Sequence, residues 1–508
     1  MTFATLLACS LLASAPQDRK AFDEYMKDPA GWVKLGAVPA IKLQTTRTAT
    51  REEAERIKEL IQWLQKIESP DVGLSGTMSG GSFSPLGKSE FSSGLLTNHA
   101  IEPNQAVAVL VHLGPKALPF LLKALEDSTP TKLVITHGAG FDGGMWYSQE
   151  LGGNPANTKE WAVLAKKRKG DAFGSATIDK HVVTVGDVCF VALGQIVGRS
   201  YSAIRYQPSA CIIVNSPTHD EAYRALVREI WESPDADQAL LDSLLLDYST
   251  NGVFNGRSLD GWGLGSSLQC DAALRLLYYY PNEAAPLVVE RLNKLDVTRG
   301  DGMDAWMKTT VQNGVRAVEF IKAVAWTSNA EVRDAVVAVM KRTNDSELFR
   351  AGIPASRGKD DRMVLERLKA DLAALPKEER GSYGEGYHLL LLLGDHFPES
   401  AKPLFAEYVR DPSPQRVLTI CHVLLKTRGE WALELLCPLL ADSRELRWGY
   451  GVAGGSPLSG VSSRACDEAA KTIYAHNPDL VFLIDGDRAN LDRQIVAMRK
   501  QIDDRQKK

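Results

Sequence analysis

Four segments of this 508-residue chain share one spacing of residues, which constrains the fold more than any other feature. Each segment begins with alanine and carries apolar residues at offsets 3, 4 and 8 from it. The four segments begin at Ala117, Ala284, Ala401 and Ala432. Offsets 0, 4 and 8 advance by about 40° per step on a helix of about 3.6 residues per turn. The spacing therefore predicts four amphipathic helices, each with one apolar stripe.

Three of the segments also carry proline at offset 2, namely Pro119, Pro286 and Pro403, whereas the fourth has Glu434. Proline is tolerated in the first helical turn, where its missing N–H has no intrahelical partner, so these prolines predict helix starts. In two segments another proline stands upstream and separates the helix from a preceding apolar run. This order predicts helical hairpins, which must stack on neighbours because one hairpin cannot bury its own stripe.

The chain resembles the HEAT/armadillo-like α-solenoid family. The resemblance is carried by the four segments, by Leu113-Gly114, and by Val332–Ala335 and Cys466–Ala469. It implies a mainly α fold, an α-solenoid of divergent HEAT-like helical hairpins with a small mixed α/β insertion, whose usual task is to bind other molecules. The alternative is a set of ordinary amphipathic helices in an irregular all-α bundle. The stretches around 185–190 and 205–208 also resemble uncharacterised bacterial exported proteins, which implies no activity.

The local patterns divide the chain into six regions. Thr50 and Glu53 predict a capping box, Leu133–Thr136 and Ile212–Val214 predict strands, and Asp187 predicts a helix N-cap. We expect these regions: a signal peptide at 1–15, a helical region with a Gly/Ser-rich loop at 16–102, a first HEAT-like unit at 103–128, a mixed insertion at 129–216, HEAT-like repeats at 217–462 and a helical cap at 463–508.

The N-terminus predicts export to the periplasm or the medium. Residues 1–17 carry no charged side chain, residues 3–12 are mostly apolar, and Ala13-Ser14-Ala15 fits a signal-peptidase site. Two alternatives stay open: a lipoprotein box ending at Cys9 and an uncleaved cytosolic N-terminus. The predicted signal peptide lacks basic residues before its apolar run, which a true start codon upstream would explain.

Charge and cysteine content narrow the class further. The formal net charge of −4 gives no basic face for nucleic acid, so we expect no such partner. We expect no transmembrane segment, because no stretch reaches the roughly 18–20 apolar residues that a span needs. Six cysteines follow the predicted signal peptide without a Cys-x-x-Cys pair, so we expect buried thiols, with one disulfide as the alternative in an exported protein.

The sequence contains none of the common catalytic or cofactor motifs. It lacks a His-Glu-x-x-His zinc helix, a phosphate-binding loop and a Gly-x-Ser-x-Gly elbow, so we predict no metal site and no cofactor. His388 and His396 could share a helix face, but Gly394 is expected to end that helix before His396.

Two short segments have the composition of a binding pocket. One is a glycine-rich loop that carries His137, Asp142, Trp146 and Tyr147. The other places a planar cation and an aromatic ring, Arg205 and Tyr206, beside a proline. Aromatic rings with a few convergent polar groups are typical of ligand sites. The plainer interpretation is a surface loop with a packed tryptophan and a structural arginine.

These observations favour an exported, non-enzymatic repeat scaffold that binds a protein or glycan ligand. The first alternative is a hydrolase-like enzyme that uses the loop with His137 and Asp142, with Ser82 or Ser84 as the nucleophile. The second is a cytosolic interaction scaffold. Convergence of these three kinds of side chain in space would favour the enzyme.

Overall fold

The computed structural model describes residues 34–68, 83–86, 105–136, 144–154, 156–167, 177–206, 211–251, 268–297, 317–376, 384–411, 413–427, 431–447, 462–480, 482 and 487–506. Within these ranges the protein is mainly helical, which confirms the predicted fold class at that level. The chain divides into two compact units, Met1–Ser356 and Arg357–Lys508.

The first unit contains thirteen of the described helices and seven of the described strands. The helices are α1 (Arg51–Trp63), α2 (Gln105–Leu113), α3 (Leu118–Ala124), α4 (Thr158–Lys167), α5 (Val185–Val197), α6 (Glu221–Trp231), α7 (Ala236–Ser249), α8 (Leu268–Tyr279), α9 (Pro281–Asn293), α10 (Ala317–Val324), α11 (Ala330–Arg342), α12 (Ser346–Ala351) and α13 (Ile353–Ser356). The strands are β1 (Lys34–Leu35), β2 (Pro130–Thr136), β3 (Met145–Tyr147), β4 (Lys180–Thr184), β5 (Ile204–Tyr206), β6 (Ile212–Val214) and β7 (Thr250–Asn251).

The second unit is helical apart from one short strand pair among its described residues. Its helices are α14 (Asp361–Ala374), α15 (Glu385–His396), α16 (Pro398–Arg410), α17 (Pro414–Lys426), α18 (Trp431–Leu436), α19 (Ala465–His476) and α20 (Arg488–Gln506). Strands β8 (Glu445–Arg447) and β9 (Ser462–Arg464) pair antiparallel just before α19.

The shared spacing produces buried stripes, as the sequence predicts. The residues at offsets 0, 4 and 8 are buried in all four segments, whereas those at offset 3 are only half-buried. The buried residues are Ala117, Leu121, Leu125, Ala284, Val288, Leu292, Ala401, Phe405, Val409, Ala432, Leu436 and Leu440. The residues at offset 2 are all exposed, so the helix face that carries the prolines points to solvent.

In both units, several of the described helices pack against the described helix two places further along. In the first unit, α8 contacts α9 and α10, and α9 contacts α11. The same order continues as α10 contacts α12 and α11 contacts α13. In the second unit, α15 contacts α16 and α17, α16 contacts α18, and α17 contacts α19. Each hairpin is therefore covered by the next one along the chain.

The predicted starts of two helices are wrong. Pro286 and Pro403 do not start helices, because α9 and α16 begin five residues earlier, at Pro281 and Pro398. Only Pro119 lies in a first turn. An exposed proline near the N-terminal end of a helix removes one hydrogen bond, and the buried stripe holds the helix together around it.

Gly394 does not end its helix, contrary to the prediction, because α15 continues to His396. A Cβ atom at Gly394 would lie 2.6 Å from the Thr427 methyl group and 3.2 Å from the Phe405 ring. Close packing of helices therefore explains this glycine.

The segment from 130 to 214 contains most of the described strands. Both predicted strands are confirmed, as parts of β2 and β6. Strand β2 pairs antiparallel with β4, whereas β6 lies between β3, which is parallel to it, and β5, which is antiparallel. Helix α5 from the same segment is fully buried and packs on α2 and α3, so these strands are joined directly to the first hairpin.

A buried ion network fixes this segment to the helices. The Arg199 side chain, which follows α5, is completely buried and donates to Glu160 on α4 at 2.9 Å and to Asp247 on α7 at 2.5 Å. Asn154 donates a further hydrogen bond to Asp247 at 2.8 Å. Moving α4 or α7 away from Arg199 would leave an uncompensated buried charge, which is strongly destabilising. The network therefore fixes both helices to the residue that follows α5.

Candidate functional site

The structure brings the two predicted binding segments onto one three-stranded sheet. Trp146 and Tyr147 lie on β3 and Arg205 and Tyr206 on β5, with β6 between them. Trp146 and Arg205 are both paired with Ile213, so they lie in one row across the sheet, about 10 Å apart at a spacing of about 4.8 Å per strand. His137 and Asp142 lie outside the described residues.

The edge of this sheet is fixed to α6 by buried polar contacts. The Asn215 side chain, which follows β6, donates to the Ser202 carbonyl at 3.0 Å and accepts from the Glu150 N–H at 2.8 Å. The Tyr223 hydroxyl on α6 donates to the Glu150 carbonyl at 2.6 Å. These bonds hold β3 and the turn after β6 in one geometry, which a binding or catalytic site requires.

Asp187 is the central polar group of the site. The sequence predicts it as an N-cap, which is wrong: Thr184 caps α5, and Asp187 is the third helical residue of a capping box. The carboxylate is fully buried and accepts from the Thr184 N–H at 3.0 Å and the Ser216 hydroxyl at 2.6 Å. The carboxylate thus accepts hydrogen bonds both from the N-cap residue of α5 and from the turn after β6.

A hydrogen-bonded chain connects this carboxylate with the surface. Nε2 of the buried His181 lies 2.9 Å from an Asp187 oxygen, and its Nδ1 lies 3.3 Å from the Tyr147 hydroxyl. The half-buried Tyr147 ring stacks on the exposed His219 ring, with centroids 3.6 Å apart and planes 10° apart. Burial and the nearby Asp187 charge raise the pKa of Tyr147 above its usual value.

The hydrogen-bond partners assign the tautomer of His181. A carboxylate only accepts hydrogen bonds, so Nε2 carries the proton toward Asp187. Nδ1 of a neutral His181 is then an acceptor, and the Tyr147 hydroxyl donates to it. The three groups therefore form a continuous chain of donors and acceptors from the Tyr147 hydroxyl through His181 to the Asp187 carboxylate.

Gly186 allows the second half of the site to approach α5. A Cβ atom there would lie 2.5 Å from the Thr218 methyl group and 2.7 Å from the Leu125 carbonyl oxygen. The Thr218 hydroxyl lies 2.8 Å from that of Ser216 and 3.1 Å from that of Thr184. Any larger residue at position 186 would displace the turn that carries Ser216 and His219.

Neither Ser216 nor Ser84 has the geometry of an activated nucleophile. The Ser216 hydroxyl is buried and bonds to Asp187, so the carboxylate lies between serine and histidine, whereas a Ser-His-Asp triad places the histidine in the middle. The Ser84 hydroxyl donates to the Gln195 amide oxygen at 2.6 Å. Ser82 lies outside the described residues.

Two polar residues, Gln149 and Asp220, stand close in sequence to the stacked Tyr147 and His219 rings. The Gln149 side chain donates to Asp220, and Asp220 also caps α6 by accepting from the Tyr223 N–H at 3.0 Å. Trp146 lies behind Tyr147 on β3, and its indole N–H is buried without a partner among the described residues. The site thus joins a small aromatic surface with amide, carboxylate and imidazole groups.

Sequence reasoning found Tyr147 and missed His181, Ser216 and His219. His181 stands in an ordinary strand pattern, and Ser216 and His219 stand in an ordinary turn, so neither has a local signal. The contacts that assemble the site join residues 29 and 34 positions apart.

The chain matches no protein-family model, no curated protein and no solved structure. Within the described ranges, no group of three or more His, Cys, Asp or Glu side chains could hold a metal ion. Among the same residues no single helix is long and apolar enough to cross a membrane, and only the bent pair Gln105–Lys116 and Leu118–Ala124 meets that criterion jointly. Cys189, Cys211, Cys270, Cys421, Cys437 and Cys466 are free thiols.

Proposed function

We propose that this chain is an exported HEAT/armadillo-like α-solenoid that binds a protein or glycan ligand. The packing of described helices on those two places further along supports the solenoid. In such arrays the first helix of each hairpin stacks on the first helix of the next, and the second helix on the second. The buried offsets 0, 4 and 8 support the same proposal, since each stripe needs a neighbouring hairpin to cover it.

The stacked pair of Tyr147 and His219 carries the proposal of ligand binding. The pair presents a small aromatic surface that is held from beneath by His181 and Asp187. A rigid aromatic surface costs little conformational entropy on binding, and Gln149 and Asp220 beside it can exchange hydrogen bonds with hydroxyl groups. An apolar ring face flanked by polar planar groups matches the C–H face and the hydroxyl rim of a sugar, so we favour a glycan.

The hydrolase that uses His137 and Asp142 is the weaker proposal. Both residues lie outside the described ranges, and the one candidate serine that is described, Ser84, donates to an amide. The described residues therefore carry no observation that favours a hydrolase built on His137 and Asp142. The cytosolic scaffold differs from our proposal only in location, which N-terminal sequencing decides.

Glycan binding can be tested with a panel of soluble bacterial oligosaccharides and the full-length protein. Alanine at an aromatic residue in the centre of a contact costs about 2 kcal/mol or more, so Tyr147→Ala and His219→Ala should raise Kd about 30-fold. Binding should change the fluorescence of Trp146, which neighbours Tyr147.

Trp63→Ala is the matched control, because Trp63 is 47% exposed on α1 and contacts Arg56 and Lys66 rather than the site. An equal loss in that variant would show that the Tyr147–His219 surface is not the site. If no oligosaccharide binds, whereas a protein from envelope extracts binds and is lost only with the site variants, the ligand is a protein.

A further inference from the structure

Tyr147, His181 and Asp187 form a hydroxyl–imidazole–carboxylate array, the arrangement that activates a nucleophile in many acyl-transfer enzymes. The hydroxyl here belongs to a half-buried tyrosine at the surface, and the carboxylate is fully buried. Asp187 accepts from three donors, which fixes its orientation toward His181. A structural tyrosine needs only one hydrogen-bond partner and no charged group behind that partner.

The chain contains a second tyrosine–histidine pair that lacks the carboxylate. The Tyr278 hydroxyl lies 2.7 Å from Nδ1 of His112, and no carboxylate contacts His112 among the described residues. Tyr278 is half-buried like Tyr147, and burial raises the pKa of both hydroxyls. The two pairs therefore differ in the group behind the histidine and in the burial of the histidine, since His112 is exposed whereas His181 is buried.

We infer that Tyr147 is a nucleophile that takes an acyl group from an activated ester or thioester, with His181 as its base and Asp187 as the group that orients and stabilises His181. The Tyr147 oxygen attacks the acyl carbon while its proton moves to Nδ1 of His181. The new oxygen–carbon bond forms as the bond to the leaving group breaks, and the leaving group departs with the electron pair and takes the proton from His181. The product is an O-acyl tyrosine.

Water then returns the site to its first state. His181, neutral again, removes a proton from a water molecule that attacks the acyl carbon, and the tyrosine oxygen leaves and regains its proton from His181. The products are the free acid and Tyr147. Tyr147 is half-buried at the surface, so we expect the acyl donor and the water to reach its oxygen.

The test uses p-nitrophenyl acetate with the full-length protein and needs no knowledge of the natural substrate. Peptide mass mapping measures acetylation at Tyr147 and Tyr278 in the same sample, and absorbance measures p-nitrophenolate. In the wild type sampled within the first turnover, before water removes the acetyl group, Tyr147 should be acetylated faster than Tyr278 by at least about tenfold. Removing the base with His181→Gln should slow acetylation of Tyr147 about 100-fold, whereas His112→Gln should not change it.

Two further variants separate the chemical role from a structural one. Tyr147→Phe should abolish the product at this position, and added imidazole should restore acetylation in His181→Ala. Equal acetylation of Tyr147 and Tyr278 in the wild type, an undiminished rate in His181→Gln, or no rescue by imidazole would overturn the inference. Should a variant fail to fold by circular dichroism, the wild-type ratio decides alone.

This inference stands apart from ligand binding by the scaffold. The small ester reaches Tyr147 without a glycan site, so failure of acetylation leaves the binding proposal intact. A protein that binds no oligosaccharide can likewise still show the acetylated tyrosine.

Discussion

Truncation of Phe405 tests whether the hairpins of the second unit depend on one another. Phe405 is 0% exposed on α16. Its ring centroid lies 5.7 Å from that of Trp431 on α18, and a Cβ atom at Gly394 on α15 would be 3.2 Å from the ring. The Phe405 ring therefore fills the space between the hairpin of α15 and α16 and Trp431, the first residue of α18.

Phe405→Ala removes those contacts and leaves a cavity, which costs about 3–5 kcal/mol of unfolding free energy. With a urea dependence of about 2 kcal/mol per molar, the unfolding midpoint should fall by about 2 M. Lys402→Ala on the same helix is the control. Lys402 is 37% exposed and pairs with Glu434, which is 63% exposed, so the loss should stay within about 0.5 kcal/mol, or about 0.3 M.

The assay is urea unfolding followed by circular dichroism, together with hydrogen exchange resolved by peptide. Because Trp431 packs on Phe405, exchange should accelerate in α18 as well as in α15 and α16. Equal midpoints for the two variants would mean that the shared spacing is a coincidence. Acceleration confined to α16 would refute the dependence between hairpins while leaving the helix itself intact.

Three further predictions follow from the charges and the N-terminus. Burial raises the pKa of five core tyrosines, and that of Tyr248 to about 12. The folded state therefore holds their protons more tightly than the unfolded state does. The free energy of unfolding, measured through the urea midpoint, should be at its full value below about pH 10 and fall as the pH rises toward 12. Burial alone would raise the pKa of Glu468, but hydrogen bonds from His422 and Lys471 lower it to about 2. The stabilising effect of its charge should be complete above about pH 4.3 and disappear as the pH falls toward 2. Glu468→Gln should flatten this dependence of the urea midpoint on pH. N-terminal sequencing of the native protein should begin at Pro16 or Gln17, and recovery of intact Met1 from cytosol would refute export.

Local periodicity was sufficient to predict the helices and their buried faces. Residues such as Leu121 and Phe405 occupy offset 4 of the shared spacing and are completely buried. The period of a helix is a property of the backbone, so a stripe can be read from a single chain without any knowledge of its partners. The Thr50–Glu53 capping box is confirmed for the same reason, since both hydrogen bonds lie within one turn.

The glycine and proline predictions failed where tertiary packing overrides local preference. Gly394 is tolerated inside α15 because the Phe405 ring and the Thr427 methyl group occupy the space where a side chain would stand. Pro403 lies inside α16 because the neighbouring buried residues compensate for one lost hydrogen bond. Gly394 thus marks a close approach between helices, whereas Pro403 stands on the exposed face of α16, and the sequence alone does not distinguish either position from a helix end.

Asp187 shows why half of the candidate site was beyond sequence reasoning. Its N–H and carboxylate take part in a capping box with Thr184, which accounts for an acidic residue at that position without any function. The same carboxylate bonds to His181 and Ser216, which come from a strand and a turn on either side of α5. Asp187 thus belongs both to the capping box of α5 and to the hydrogen-bonded chain that ends at Tyr147, and replacing it would disturb both. His181 lies on β4, where it pairs with Ile135 on β2, and its ring bonds to both Tyr147 and Asp187. His181→Gln changes the ring and leaves the Thr184–Asp187 capping box in place, so it tests the chemistry of Tyr147 with less effect on α5 than a change at Asp187.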